Sequence, residues 1–172
     1  MENDSNKKNN EGQYLTFLLN SQNYGIPIGA VREINEVSDI IPIPRTPEFV
    51  IGVMNLRGKV VPVVDLRMKF GMTRIPNTPQ TCIIVIDTAV GQVGSLVDAV
   101  CEVVSLTLNQ IEPPPVLGEE NELRFVTGIA LLNEKLIVLV DIIGALSREE
   151  FIKMQMPENV SELVKTAKGS AA

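Results

Sequence analysis

The sequence predicts an all-β fold of two tandem five-stranded barrels packed side by side, with short helices and a C-terminal helix. Three observations predict it. Short runs rich in Val, Ile, Leu and Thr alternate with Gly, Pro, Asn and Asp at close spacing, the pattern of many short strands joined by turns. The chain also repeats itself. Phe49, Gly52, Lys59, Val64 and Asp65 recur 76 positions on as Phe125, Gly128, Lys135, Val140 and Asp141. Gly25, Val31, Glu33 and Pro44 recur 69 positions on as Gly94, Val100, Glu102 and Pro113. The change of offset marks a seven-residue insertion near 116–121 in the second copy. A fixed-period repeat means that one structural unit is used twice. Finally, 172 residues with 45% hydrophobic but only 4% aromatic side chains can fill a sizeable core, which Val, Ile and Leu must supply. About five strands per copy are too few for an open sheet with protected edges, so closure into barrels is expected.

Residues 1–12 are polar and read as a disordered leader. The first strand is expected over 14–19, followed by a turn at 20–23 and strand-like runs at 24–28 and 31–37, where Pro27 and Gly29 imply an edge or bulge. Pro42, Pro44 and Pro47 make the next stretch an extended connector, since proline donates no ladder hydrogen bond. Arms 50–56 and 59–64 flank Arg57-Gly58, a two-residue hairpin turn in which Gly58 tolerates positive φ. Asp65 is placed to cap a short helix through Phe70, which Gly71 ends. The second copy follows with strands at 81–87, 92–97 (after a turn at Val90-Gly91), 100–106, 126–132 and 136–140, the last two turning at Asn133-Glu134. Asp141 caps a helix as Asp65 does. Ser147 and Glu150 have capping-box spacing before a last helix over 148–156, which Pro157 stops. The domain plan is therefore a first half of about 20–77 and a second of about 78–146, which the N-terminal strand can join, then the helix and a flexible tail at 157–172.

Charge and composition remove several functions. A net charge of −6 is wrong for a nucleic-acid binder, which needs a basic excess to neutralise phosphates. No apolar run approaches the roughly 20 residues that span a bilayer, and no signal sequence is evident, which points to the cytoplasm. With no histidine, neither a Ser-His-Asp nor a Cys-His site can be assembled, and no Gly-rich phosphate loop is present. Cys82 and Cys101 form no C-x-x-C pair and read as buried free thiols, so no metal or cofactor is expected. The repeat-related carboxylates Asp65 and Asp141, or Glu33 and Glu102, are better read as helix caps and strand-surface residues than as a hydrolytic pair. What stands out is Arg57, a guanidinium at the tip of a hairpin otherwise aliphatic.

Around that tip the chain resembles the CheW family, coupling proteins of bacterial chemotaxis. Asn55-Leu56-Arg57-Gly58 followed by Val60-Val61-Pro62-Val63-Val64-Asp65-Leu66-Arg67 is similar to the family's central motif. So are Tyr24-Gly25-Ile26 with Val31-x-Glu33-Ile34, Ile43-Pro44-x-Thr46-Pro47-x-Phe49, and Leu106-Thr107-x-x-Gln110-Ile111 with Pro113-x-Pro115. The resemblance covers roughly 13–150 and implies that the barrels are SH3-like. It implies a non-enzymatic adaptor joining the regulatory domain of the histidine kinase CheA to the cytoplasmic tips of methyl-accepting chemoreceptors, with closure into rings. A scaffold of a parallel pathway, such as surface motility, is the alternative. By position, Val31, Glu33, Ile34, Arg57 and Gly58 are the expected receptor contacts, and Val100, Glu102, Val103 and Val104 the expected kinase contacts. The aliphatic residues Val31, Ile34, Val50 and Val53 are expected to line a groove for a helical receptor tip.

Overall fold

The computed structural model describes residues 11–88, 91–114 and 125–145. The leader up to residue 10, the turn at residue 90, the insertion near 116–121, and the C-terminal helix and tail lie outside the described residues. The elements in chain order are strands β1 (Gly12–Leu19), β2 (Gln22–Pro27), β3 (Val31–Glu36), β4 (Val50–Leu56) and β5 (Lys59–Asp65), then helix α1 (Leu66–Lys69). They continue with β6 (Cys82–Thr88), β7 (Gly91–Val97), β8 (Ala99–Leu106), β9 (Ile111–Glu112), β10 (Val126–Leu132), β11 (Lys135–Val140) and helix α2 (Ile142–Ala145). The expected strands and both short helices form, with bounds shifted by a residue or two; the two-residue β9 is an addition.

The strands make a five-stranded sheet, ordered β3-β6-β7-β5-β4, and a six-stranded sheet, ordered β8-β1-β2-β11-β10-β9. Most neighbours are antiparallel, but β5 pairs with β7 and β11 with β2 in parallel. The repeat aligns β1–β2 with β6–β7, β3 with β8, β4 with β10, and β5 with β11. Each copy therefore lends its opening hairpin to the other copy's remaining strands, and sheet membership does not follow the repeat boundaries. The five-stranded sheet spans β3 to β7, while the six-stranded sheet joins β1–β2 to β8–β11. The registers repeat as well: Val63 lies opposite Gly94, and Leu139 opposite Gly25.

Period-2 alternation distributes the aliphatic side chains among three clusters. Met54, Val61, Val63, Ile83, Val85 and Leu96 fill the inside of the five-stranded sheet. Tyr14, Val104, Leu106, Ala130, Ile137 and Leu139 fill the six-stranded one. The alternate residues of the same strands, among them Leu15, Phe17, Ile26, Ile84, Ile86 and Val140, form the largest cluster. It contains members of both sheets and so fastens them to each other. Of the described aromatics all but Tyr14 gather there. Phe17 stacks on Tyr24, Tyr24 meets Phe70, and Phe70 stacks on Phe125 with ring centroids 4.3 Å apart.

The repeated glycines at 52 and 128 have a steric cause. A β-carbon at Gly52 would overlap the Ile41 carbonyl oxygen, because the connector after β3 crosses β4 there and bonds to Val53 in both directions. At Gly128 a β-carbon would lie 2.9 Å from Ile111 and 3.1 Å from the Glu112 carbonyl oxygen, because β9 crosses β10 at the equivalent place. Side chains larger than hydrogen do not fit, which is why both copies keep glycine.

Candidate functional site

The β4–β5 turn has positive φ at both central positions, 52° at Arg57 and 86° at Gly58, the mirror-image turn that suits twisted hairpins. Gly58 was expected to adopt it; Arg57 adopts it too, at a cost that an L-residue with a β-carbon carries and glycine does not. The Asn55 carboxamide oxygen accepts the Gly58 amide at 2.8 Å and braces the turn. Arg57 reaches from this tip to β3, the opposite edge of the same sheet, and its Nη1 donates to Glu33 Oε2 at 2.9 Å. The other oxygen of Glu33 accepts from Asn35 Nδ2 at 2.8 Å. Two residues singled out separately from sequence, 24 positions apart, thus form one seam where the sheet's edges meet.

The Arg57 side chain is 80% exposed and that of Glu33 18%. A pair this open contributes about 0–1 kcal/mol to folding, so the seam is not what holds the barrel together. Of its five N–H donors, Arg57 gives Glu33 one nitrogen's worth and leaves the rest of the planar fork facing solvent. Glu33 orients the guanidinium; a carboxylate or carbonyl brought by a partner can use the free edge. Ile34, on the other face of β3, is an exposed apolar residue. Val31 is half-buried against the cluster between the sheets. Gly58 is exposed at the tip. Val50 and Val53, expected in a groove beside them, are instead buried, because the inward positions of β4 belong to the core.

The second copy arranges the same elements differently. Glu102 on β8 corresponds to Glu33, but the β10–β11 tip carries Asn133-Glu134, which turn with positive φ and supply no cation. Glu102 is exposed, and its main chain exchanges hydrogen bonds with the Thr16 hydroxyl, at 2.8 and 3.1 Å, across a register shift in β1. Val103 is exposed and Val100 half-buried, while Val104 turns inward to the core of its sheet. Beside the tip, the cross-strand pair Leu131 and Leu136 is 57% and 56% exposed. In the first copy those places hold Asn55 and Val60, neither of them exposed. The first tip carries an oriented cation, the second the Glu134 carboxylate beside an exposed apolar pair.

A third feature was missed from sequence. Asp65 does cap α1, accepting the Arg67 amide at 3.0 Å, but its carboxylate also receives Arg67 Nε at 3.0 Å and Nη2 at 3.1 Å. Both side chains are fully buried. Arg67 Nη1 continues to Asp98 Oδ1 at 2.8 Å and to the Ile75 carbonyl at 3.2 Å, and Asp98 Oδ2 accepts the Asn20 amide in the β1–β2 turn at 2.7 Å. This chain of charge-assisted bonds ties the two sheets together. The signal for it was present in the repeat: where the first copy reads Asp65-Leu66-Arg67, the second reads Asp141-Ile142-Ile143.

Neither cysteine is poised as a nucleophile. Partial desolvation pushes the half-buried Cys82 thiol up, and partial desolvation aided by the neighbouring Glu102 pushes the Cys101 thiol up, the opposite of what a nucleophile needs. Cys101 is exposed rather than buried as expected, because β8 is an edge strand and the residue faces outward. Among the described residues no group of three His, Cys, Asp or Glu could hold a metal ion, and no helix is long and apolar enough to cross a membrane.

Comparison with known proteins agrees with the geometry. Residues 13–150 match the family described as CheW-like domain. The chain is 39% identical over 150 residues to "Chemotaxis protein CheW" of Klebsiella aerogenes, covering 87% of this chain and 89% of that one. It is 34% identical over 138 residues to the protein of the same name from Rhizobium meliloti, covering 80% and 89%. Its fold is similar to the crystal structure of scaffolding protein TtCheW from Thermoanaerobacter tengcongensis, with TM-score 0.71, 37% identity, and 76% of this chain and 89% of that one covered.

Proposed function

The chain belongs to the CheW family, and on that premise we propose that it is a non-enzymatic chemotaxis adaptor that couples the cytoplasmic tips of chemoreceptors to the histidine kinase CheA. It works in the cytoplasm and is recruited to receptor arrays at the membrane, where adaptor and kinase close into rings. The observation that carries this reading is the Glu33–Arg57 seam, an oriented guanidinium at an exposed tip, flanked by the exposed Ile34 and doing little for the fold. Val31, Glu33, Ile34, Arg57 and Gly58 are the receptor surface in this proposal. The exposed β8 edge, with Val100, Glu102, Val103 and the backbone of Val104, is the kinase surface, which the apolar Leu131 and Leu136 extend. An oriented cation on one tip and a carboxylate beside an aliphatic pair on the other suit two different partners.

The test is co-purification of kinase and receptors from lysate with the tagged protein, followed by titration of purified receptor fragment and kinase regulatory domain against Arg57→Ala. The expected outcome is a loss on the order of 1–4 kcal/mol in receptor binding. Kinase binding should be unchanged, and folding stability should move by no more than about 0.5 kcal/mol. Normal receptor binding by the variant would return Arg57 to the role of an ordinary turn residue.

A further inference from the structure

The buried carboxylate Asp65 has a repeat counterpart, Asp141, and the backbone treats the two alike: the Asp65 amide donates to the Phe49 carbonyl and the Asp141 amide to the Phe125 carbonyl, both at 2.7 Å. Their side chains meet opposite fates. Asp65 is sealed in by the forked guanidinium of Arg67, whose far end rests on Asp98. Around Asp141, Ile143 takes the place of Arg67, and Gly29, the repeat counterpart of Asp98, takes the place of Asp98. The Asp141 carboxylate is exposed, and among the described residues no cation or donor reaches it. Next to it lies a small open depression, floored by the buried Ile26, Ile86, Val140 and Ile142 of both sheets and rimmed by the exposed Pro27 and Ile143.

We propose that Asp141 and this depression form a seat for an arginine side chain of the receptor's cytoplasmic tip, taking the place that Arg67 takes in the other half. The proposal rests on the reading of the chain as a receptor adaptor. The molecule itself displays the complex the seat would make, since the same backbone corner holds a guanidinium in one copy. The chemistry is complementary: a carboxylate for the fork, and the exposed rim of Pro27 and Ile143 for the aliphatic stem of an arginine lying across it. A lysine would use the carboxylate but not both of its oxygens at once. The receptor is the partner indicated because Ala30, which also lines the depression, directly precedes Val31, the first residue of the proposed receptor surface.

The experiment titrates a purified chemoreceptor cytoplasmic fragment against the full chain and two variants. Asp141→Asn, which keeps the shape, should weaken receptor binding by about tenfold and leave kinase binding unchanged. Ile143→Arg recreates the Asp-x-Arg spacing of the first copy and should fill the seat from within, weakening receptor binding about as much. Combined with Asp141→Asn it should add no further loss, which separates occupancy of the seat from general damage. If Asp141→Asn binds the receptor fragment as the parent does while Arg57→Ala does not, the seat is refuted and the adaptor reading stands. If neither change matters because the fragment does not bind the parent chain, the adaptor reading itself fails. If Asp141→Asn destabilises the protein without any partner, and Arg148→Ala does the same with no added loss in the double variant, the occupant is the chain's own Arg148 and the proposal is overturned.

Discussion

The two copies differ most at the residue two positions after the repeated aspartates, Asp65, which caps its helix, and Asp141. Arg67 in the first copy is fully buried, forked onto Asp65 and bonded across to Asp98; Ile143 in the second is exposed beside an open carboxylate. The hairpin tips diverge in a parallel way, with Arg57 oriented by Glu33 in one and an exposed Leu131–Leu136 pair in the other. One backbone plan thus carries two sets of surface and core chemistry. Duplication makes a barrel pair symmetrical; substitution at a handful of equivalent positions makes its faces distinguishable.

The largest effect that could break this contrast is at Arg67. Replacing it by Met would strand Asp65 in the interior and should cost about 3–5 kcal/mol of folding stability. Asp141→Asn, at the matching place, should cost less than about 0.5 kcal/mol, as for a surface change. Chemical denaturation of both variants checks this; equal losses would mean that the buried network is not what separates the copies. Next come the glycines. Gly52→Ala must displace the Ile41 backbone and Gly128→Ala chiefly the Ile111 side chain, so both should destabilise, by about 1–3 kcal/mol with Gly52 the more severe. A neutral Gly52→Ala would show that the connector crossing is loose.

The tips are compared through binding rather than folding. Arg57→Lys should recover only part of what Arg57→Ala loses at the receptor, leaving a deficit of about 1 kcal/mol, if the contact uses the planar fork; full recovery would mean that charge alone counts. The smallest effect is that of salt. Kinase binding, assigned to the aliphatic β8 edge and the second tip, should change little between low and moderate ionic strength, whereas receptor binding through Arg57 should weaken. A steep fall in kinase affinity would contradict the assignment of the Leu131–Leu136 surface.

Much of this protein follows from local pattern alone. Period-2 runs and turn residues place the strands, because a half-buried strand imposes its alternation on its own sequence. Asp65 announces its cap, and the paired glycines mark equivalent crossings before the crossing chain is known. Arg57 and Glu33 can each be singled out, by a functional-looking tip and by family position. Their meeting cannot be, since it depends on how the edges of a curled sheet come together. The parallel pairings of β5 with β7 and β2 with β11 have the same status: each joins strands that no turn signal connects, so the exchange of hairpins between copies is invisible to a reading that moves along the chain. Arg67 is the clearest case. By type it belongs on the surface, and only the convergence of the neighbouring Asp65 with the Ile75 carbonyl and the distant Asp98 offsets the cost of removing a guanidinium from water. Local chemistry determined which segments are strands; the desolvation of charges, set by which segments meet, was decided by the tertiary structure.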